Sequence, residues 1–261
     1  MSGTPRILTL DLETSPMKVW TFSLFKPFIT YDQVIEHTRV ISWAAKWLGE
    51  DTILFRSEFH SGREKMLREM HSLLSEADIV VHFNGESFDM PHLRREFKEA
   101  GFPPFSPVQT IDLYKQLKKS MYFPNNKLDT MAQKLGVGAK VSHTGMMLWI
   151  ECLTESPADD PNRQRRAWSL MRKYNKGDVQ VTEDLYLETR AYLPSHPHVG
   201  LFADDPTAED LCDVCGSNNL RNEGFAYTKV GKYQRFVCRD CGKWGRGKRA
   251  VAIVEGRGVA S

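Results

Sequence analysis

The chain has no apolar run long enough to cross a bilayer, which argues against a membrane-spanning protein. It has no large surplus of either charge. Formal net charge is +2, so no global basic field marks a nucleic-acid binder, and any such surface has to be local. It has few cysteines, five in 261 residues. Four of them, Cys212, Cys215, Cys238 and Cys241, fall in the last fifth as two Cys-x-x-Cys pairs. That usage argues against a disulfide framework and fits metal binding in a reducing cytosol. The fifth, Cys152, lies beside Leu148, Trp149 and Ile150 and reads as a buried, unreactive thiol. No internal repeat is visible beyond the paired knuckles. The first strand begins within six residues of Met1, leaving no room for a signal peptide. A cytoplasmic protein with no membrane partner is expected.

What is present is an ordinary globular composition, 41% hydrophobic and 26% charged, enough for one large domain or one plus a small one. Ile7, Leu8, Leu10 and Leu12 read as a central strand. Asp11 and Glu13, two apart, put both carboxylates on one face of it. Two acids side by side at the end of an apolar strand repel each other, and a divalent cation would relieve this. Alone, the pair reads as readily as a strand running out into a polar turn.

An irregular aromatic stretch, Trp20 to Tyr31, follows. Val40–Leu48 and Thr52–Ser57 read as a hairpin, Arg63–Leu74 as a helix, Asp78–Asn84 as a strand, and Ser87 to about Gly101 as a helix. Val108–Leu113 reads as a strand, Leu128–Leu135 as a helix, and Arg165–Ala191 as a helix with a local interruption at Gly177. This order predicts an α/β architecture, a mixed sheet with helices on both faces. After Tyr192 breakers replace periodicity. The expected division is a first domain over 1–193, a linker over 194–208 with solvated His196 and His198, and a small domain over 209–250.

Two further acidic groups carry chemistry. Asn84-Gly85-Glu86-Ser87-Phe88-Asp89 opens a helix, with Asp89 in its first turn, where the dipole favours an ionised carboxylate. Tyr174 and Asp178 are i, i+4 and share a helix face. Each group has an ordinary structural reading too, a helix cap for the one and a Tyr over a solvated Asp for the other.

Taken together, Asp11-x-Glu13, Asn84-x-x-x-Phe88-Asp89 and Tyr174-x-x-x-Asp178 resemble, in type, order and spacing, the three motifs of the DEDD 3′→5′ exonucleases. These have a ribonuclease H-like fold. A Tyr four residues before the last Asp resembles the Tyr branch, which includes proofreading domains of B-family DNA polymerases. The His branch would need His where Lys173 stands. The resemblance covers roughly residues 5 to 192.

It implies that Asp11, Glu13, Asp89 and Asp178 hold two Mg²⁺ or Mn²⁺ ions about 4 Å apart. It also implies that Tyr174 orients the attacking water, and that Asn84 and Phe88 touch the terminal nucleotide. Asp112 and Asp184 are left out of the ligand set. The implied substrate is the 3′ end of DNA, single-stranded, in replication, repair or DNA degradation. There is no room for a polymerase domain, so this would be a free-standing exonuclease of the kind bacteriophages carry. An RNA-directed exonuclease on the same site stays open, since the motifs do not read the 2′-position. So does a zinc-ribbon adaptor with an inert nuclease site.

Cys212-x-x-Cys215-Gly216 and Cys238-x-x-Cys241-Gly242 read as two knuckles holding one structural Zn²⁺. Strands at 224–228 and 233–237 with a turn at 230–232 would complete a zinc ribbon. Basic residues including Lys232, Arg235 and Arg246 surround Tyr227, Tyr233 and Trp244. They suit single-stranded nucleic acid, with docking of a replication or repair protein weighted nearly equally.

Overall fold

The computed structural model describes residues 3–25, 27–203 and 211–254. The strand and helix order follows the hydrophobic patterning. The first domain contains β1 (Ile7–Thr14), β2 (Lys18–Val19), β3 (Val34–Glu36), β4 (Val40–Trp47), β5 (Ile53–Ser57), α1 (Glu58–Ser61), α2 (Arg63–Glu76) and β6 (Ile79–His82). It continues with α3 (Asp89–Glu99), β7 (Gln109–Asp112), α4 (Leu113–Ser120), α5 (Leu128–Leu135), α6 (Met146–Leu153) and α7 (Arg163–Thr189). The five-stranded sheet runs β5-β4-β1-β6-β7. β4 pairs antiparallel with β1 and β5, whereas β6 pairs parallel with β1 and β7.

The pleat of β1 decides where the acids go. Leu8, Leu10 and Leu12 point into one core with Trp43, Met66, Met70 and Leu93, under α2 and α3. Ile7 points the other way, into a second core with Ile79, Val81, Met131 and Leu185, under α4, α5 and α7. Asp11 and Glu13 share Ile7's parity, so both project toward α7. Burying the three leucines thus fixes the register of the two carboxylates.

α7 has 27 residues, a rod of about 40 Å. It is buried at Ala167, Met171, Tyr174, Asp178, Thr182 and Leu185, spacings of three and four that keep one face on the sheet. The interruption expected at Gly177 does not occur. A Cβ there would stand 2.8 Å from Val141 Cγ2, so this glycine makes room for the 136–145 loop to cross the helix. The stretch between β2 and β3 is irregular, as expected, and leaves Trp20, Phe22, Leu24, Phe25, Phe28 and Tyr31 exposed.

Residues 204–210, the end of the expected linker and the first two residues of the expected small domain, lie outside the described residues. The described part, 194–203, is packed. Val199 is buried in the second core, and its N–H donates to Asp213 O at 2.7 Å. His196 is half-buried against Tyr186, whose hydroxyl lies 2.9 Å from Nε2, so the solvated histidine expected there is corrected. Burial lowers its pKa.

Beyond it, β8 (Leu220–Tyr227), β9 (Gly231–Cys238) and β10 (Trp244–Ile253) form an antiparallel sheet in the order β10-β9-β8. The turn sits one to two residues earlier than expected, closed by Thr228 N–H on Gly231 O. No helix among the described residues is long and apolar enough to cross a membrane.

Candidate active site and cysteine centre

β1 and α7 bring Asp11, Glu13 and Asp178 together, with one carboxylate oxygen from each mutually within 4.8 Å. Asp89, at the start of α3, lies beside this group but outside that limit. Its Oδ1 accepts the Leu12 N–H at 3.0 Å, which ties α3 to the strand between the two acids. Asn84 adopts a left-handed conformation, φ 67°. It lines a cleft with Asp11, Phe83, Tyr114 and Lys140. Phe88 is exposed and packs edge-on against His92, and it does not line that cleft. Asp112 accepts the N–H groups of Asn84 and Glu86, at 3.0 and 3.2 Å, and so shapes the loop.

Three participants were not singled out in the sequence. Asn175 donates to Asp11 Oδ2 at 2.6 Å and in turn accepts from Ser42 Oγ at 3.2 Å. Its place three residues before Asp178 on one helix face was a usable signal. Lys140 Nζ donates to Asp178 Oδ2 at 2.5 Å and to the Tyr174 hydroxyl at 3.2 Å. It arrives on the loop that Gly177 admits, and no spacing rule relates it to the acids. Trp149, on α6, hydrogen-bonds Glu13 and lines a second cleft with Glu13, Thr38, His143 and Met146. His143 packs against Tyr174 with ring centroids 4.6 Å apart.

The electrostatics are those of a cation site. Burial, then the charges of Glu13, Asp89 and Asp178, hold the Asp11 carboxyl well above the usual range, against the pull of Lys140. Burial and then Asp178 push Glu13 up to about 8. Burial raises Asp178, with Lys140 opposing. Asp89 is pushed up to about 7 by burial, which outweighs its hydrogen bond from Leu12, so the helix terminus does not keep it ionised as expected. Burial and the neighbouring carboxylates also raise the Tyr174 phenol, which keeps its proton. Asp178 Oδ1 is buried with no hydrogen-bond partner among the described residues. Clustered acids held protonated, with one orphaned oxygen, fit a divalent ion, and the all-oxygen donor set is that of a hard one.

The four cysteine sulfurs also lie mutually within 4.8 Å. Cys212 and Cys241 are 3.6 Å apart, as are Cys215 and Cys238, and all are free thiols. Gly216 and Gly242 sit at φ 73° and 78° and donate to Cys212 O and Cys238 O, both at 2.9 Å. Those are the turns the two knuckles require. Burial pushes Cys212, Cys215 and Cys241 up to about 11. At Cys238 burial is outweighed by the N–H groups of Cys241 and Asp240. Four convergent sulfurs fit a thiophilic metal.

A profile of the RNase H superfamily matches residues 36–189. Over 72 residues, 27% of this chain, the sequence is 29% identical to DNA polymerase 1 of Aeropyrum pernix, and the match spans 8% of that protein. The fold is similar to the family B DNA polymerase from the archaeon Pyrobaculum calidifontis, with a TM-score of 0.50 and 18% identity, over 87% of this chain and 31% of that one.

Proposed function

The chain belongs to the RNase H superfamily, and from that premise we propose that it is a metal-dependent 3′→5′ exonuclease acting on single-stranded DNA ends. The observation that carries this is the convergence of Asp11, Glu13 and Asp178 from opposite ends of the first domain. With Asp89 they would hold two Mg²⁺ or Mn²⁺ ions. When bound, these ions lower the pKa of the attacking water and stabilise the leaving 3′-oxygen.

The chain's own residues supply position. Asn175, anchored on Ser42, fixes the Asp11 rotamer. Tyr174 keeps its proton and holds the nucleophilic water in line. Lys140 neutralises Asp178 until a metal displaces it and then offers its charge to the scissile phosphate. Asn84 faces the cleft that would take the terminal nucleotide. Water attacks phosphorus, the bond to the 3′-oxygen breaks, that oxygen takes up a proton, and a nucleoside 5′-monophosphate leaves. The cysteines would hold one structural Zn²⁺.

One observation favours an inert-site adaptor instead, since Lys140 already occupies the position of a cation on Asp178. The test is incubation of 5′-labelled single-stranded DNA, duplex DNA and RNA with Mg²⁺, with Mn²⁺ and with neither. The account expects one-nucleotide shortening from the 3′ end of single-stranded DNA, dependent on added metal. Intact substrate in every arm would support the adaptor.

A further inference from the structure

The three-stranded sheet carries an arrangement that the exonuclease site does not use. Residues 211–254 hold nine Lys and Arg against three Asp and Glu, whereas residues 1–210 are net negative. Tyr233 and Arg235 lie on one face of β9, and Trp244 and Arg246 lie on the same face of β10, because Arg246 pairs directly with Arg235 and Trp244 with Val237. Two arginines directly opposite each other in a ladder repel. Among the described residues neither makes an ion pair with a carboxylate. Each instead lies over an aromatic ring, Arg235 Cζ 4.9 Å from the Trp244 centroid and Arg246 Cζ 4.0 Å from that of Tyr233. Trp244, Arg235 and Arg246 are exposed. A pair of like charges held flat and outward is disfavoured in the free protein and relieved by an anion between them.

We propose that this face binds single-stranded polynucleotide, with backbone phosphate between Arg235 and Arg246 and bases stacked on Trp244 and on the guanidinium–ring surface. The net charge of the module selects a polyanion over an apolar protein partner.

The placement adds a length requirement. The module docks where Ile7, Leu48, Arg190, Val214 and Gly216 line one cleft, at the start of β1. Glu13 lies six residues further along the strand, about 20 Å away. A strand engaging both places spans about six nucleotides at the stacked repeat. The site therefore acts on long substrates and is out of reach of very short ones held at the acids. It shares only its substrate class with the exonuclease reading, and a binding assay without added Mg²⁺ or Mn²⁺ leaves hydrolysis out of the result.

The experiment measures binding of labelled dT20, U20 and dT4 to the full chain by fluorescence anisotropy across a salt series. Arg235→Ala/Arg246→Ala is expected to weaken dT20 binding by about tenfold at low salt and to lower the salt slope by about 1.4, the share of two phosphates on a single strand. Trp244→Ala is expected to weaken it on the order of tenfold with the slope unchanged. Binding of dT4 should move less than twofold. Arg235→Lys/Arg246→Lys should restore the slope, which separates charge loss from misfolding. Parental affinity and slope in the double alanine variant would overturn the proposal and leave protein docking as the use of this face. Failure of the lysine variant to restore the slope while it retains its metal would also overturn it. U20 bound as tightly as dT20 marks the face as indifferent to the sugar, and either ratio is a strand-binding result.

Discussion

The acid cluster and the cysteine cluster both gather groups that a cation would hold together, but they draw on the chain in opposite ways. The acids come from β1, α3 and α7, up to 167 residues apart, and sit on a sheet whose two cores are complete without them. The sulfurs come from two four-residue knuckles, and the only core beside them is Cys212, Val214 and Cys238 with Leu220 against it. In the first region the fold positions the ion. In the second the ion takes the place of a core. Loss of the cation should therefore cost function in one region and structure in the other.

The sharpest way to break that contrast is at the sulfurs. Cys238→Ser should release the metal and unfold β8–β10, since structural zinc contributes on the order of 10 kcal/mol to such modules. Hydrogen exchange would show this as lost protection in 220–253 with α7 still protected. Protection retained in the sheet without metal would make the module self-sufficient and erase the difference. Next in size, Asp11→Ala or Asp178→Ala should cost roughly a thousandfold or more in hydrolysis, with an unchanged circular dichroism spectrum. A variant that unfolds would mean that the acids serve the fold. Tyr174→Phe should be milder, on the order of tenfold, since the metal ligands stay in place. An unaltered rate would reduce Tyr174 to packing against His143 and Trp149.

The architecture was legible because its signal is burial. The leucines of β1 set a period of two, and the face of α7 a period of three and four, so the strand order and Asp11, Glu13 and Asp178 could be read off. Lys140 could not, since its contact depends on a glycine at 177 letting a loop cross a helix, and long-range loop packing has no period. Gly177 itself misled, because a helical glycine signals a break in isolation and a close approach in context. α4 and α6 went unread because eight residues give barely two turns of pattern. Asp89 was expected ionised from its place at a helix start, whereas burial dominates. The linker read from its breakers is packed over 194–203 because Val199 finds the second core, which sequence composition does not report.

The smallest expected effect concerns pH. Burial raises the folded pKa values of Glu13 to about 8 and Asp89 to about 7, while the unfolded values are near 4. Between these limits the folded state binds more protons, so these groups make the protein less stable as pH rises from about 4 through 8. Without Mg²⁺ the melting temperature should fall across that range, and added Mg²⁺ should raise it more at pH 8 than at pH 5.5. Glu13→Gln should recover about 2–4 °C at pH 8, the shift that about 1 kcal/mol gives in a chain of this size. A Mg²⁺ effect equal at the two pH values would place the ion away from these carboxylates.

The central claim, one exchangeable oxygen-ligated site for catalysis and one sulfur-ligated site for structure, is tested most directly by native mass spectrometry of the intact chain during a Mn²⁺ titration. The account predicts one tightly held zinc in every spectrum, with up to two manganese ions added as the concentration rises and lost again on dilution. It further predicts that Asp178→Ala abolishes the manganese steps and leaves the zinc. A chain that carries no zinc, or that takes up manganese equally well without Asp178, would contradict it.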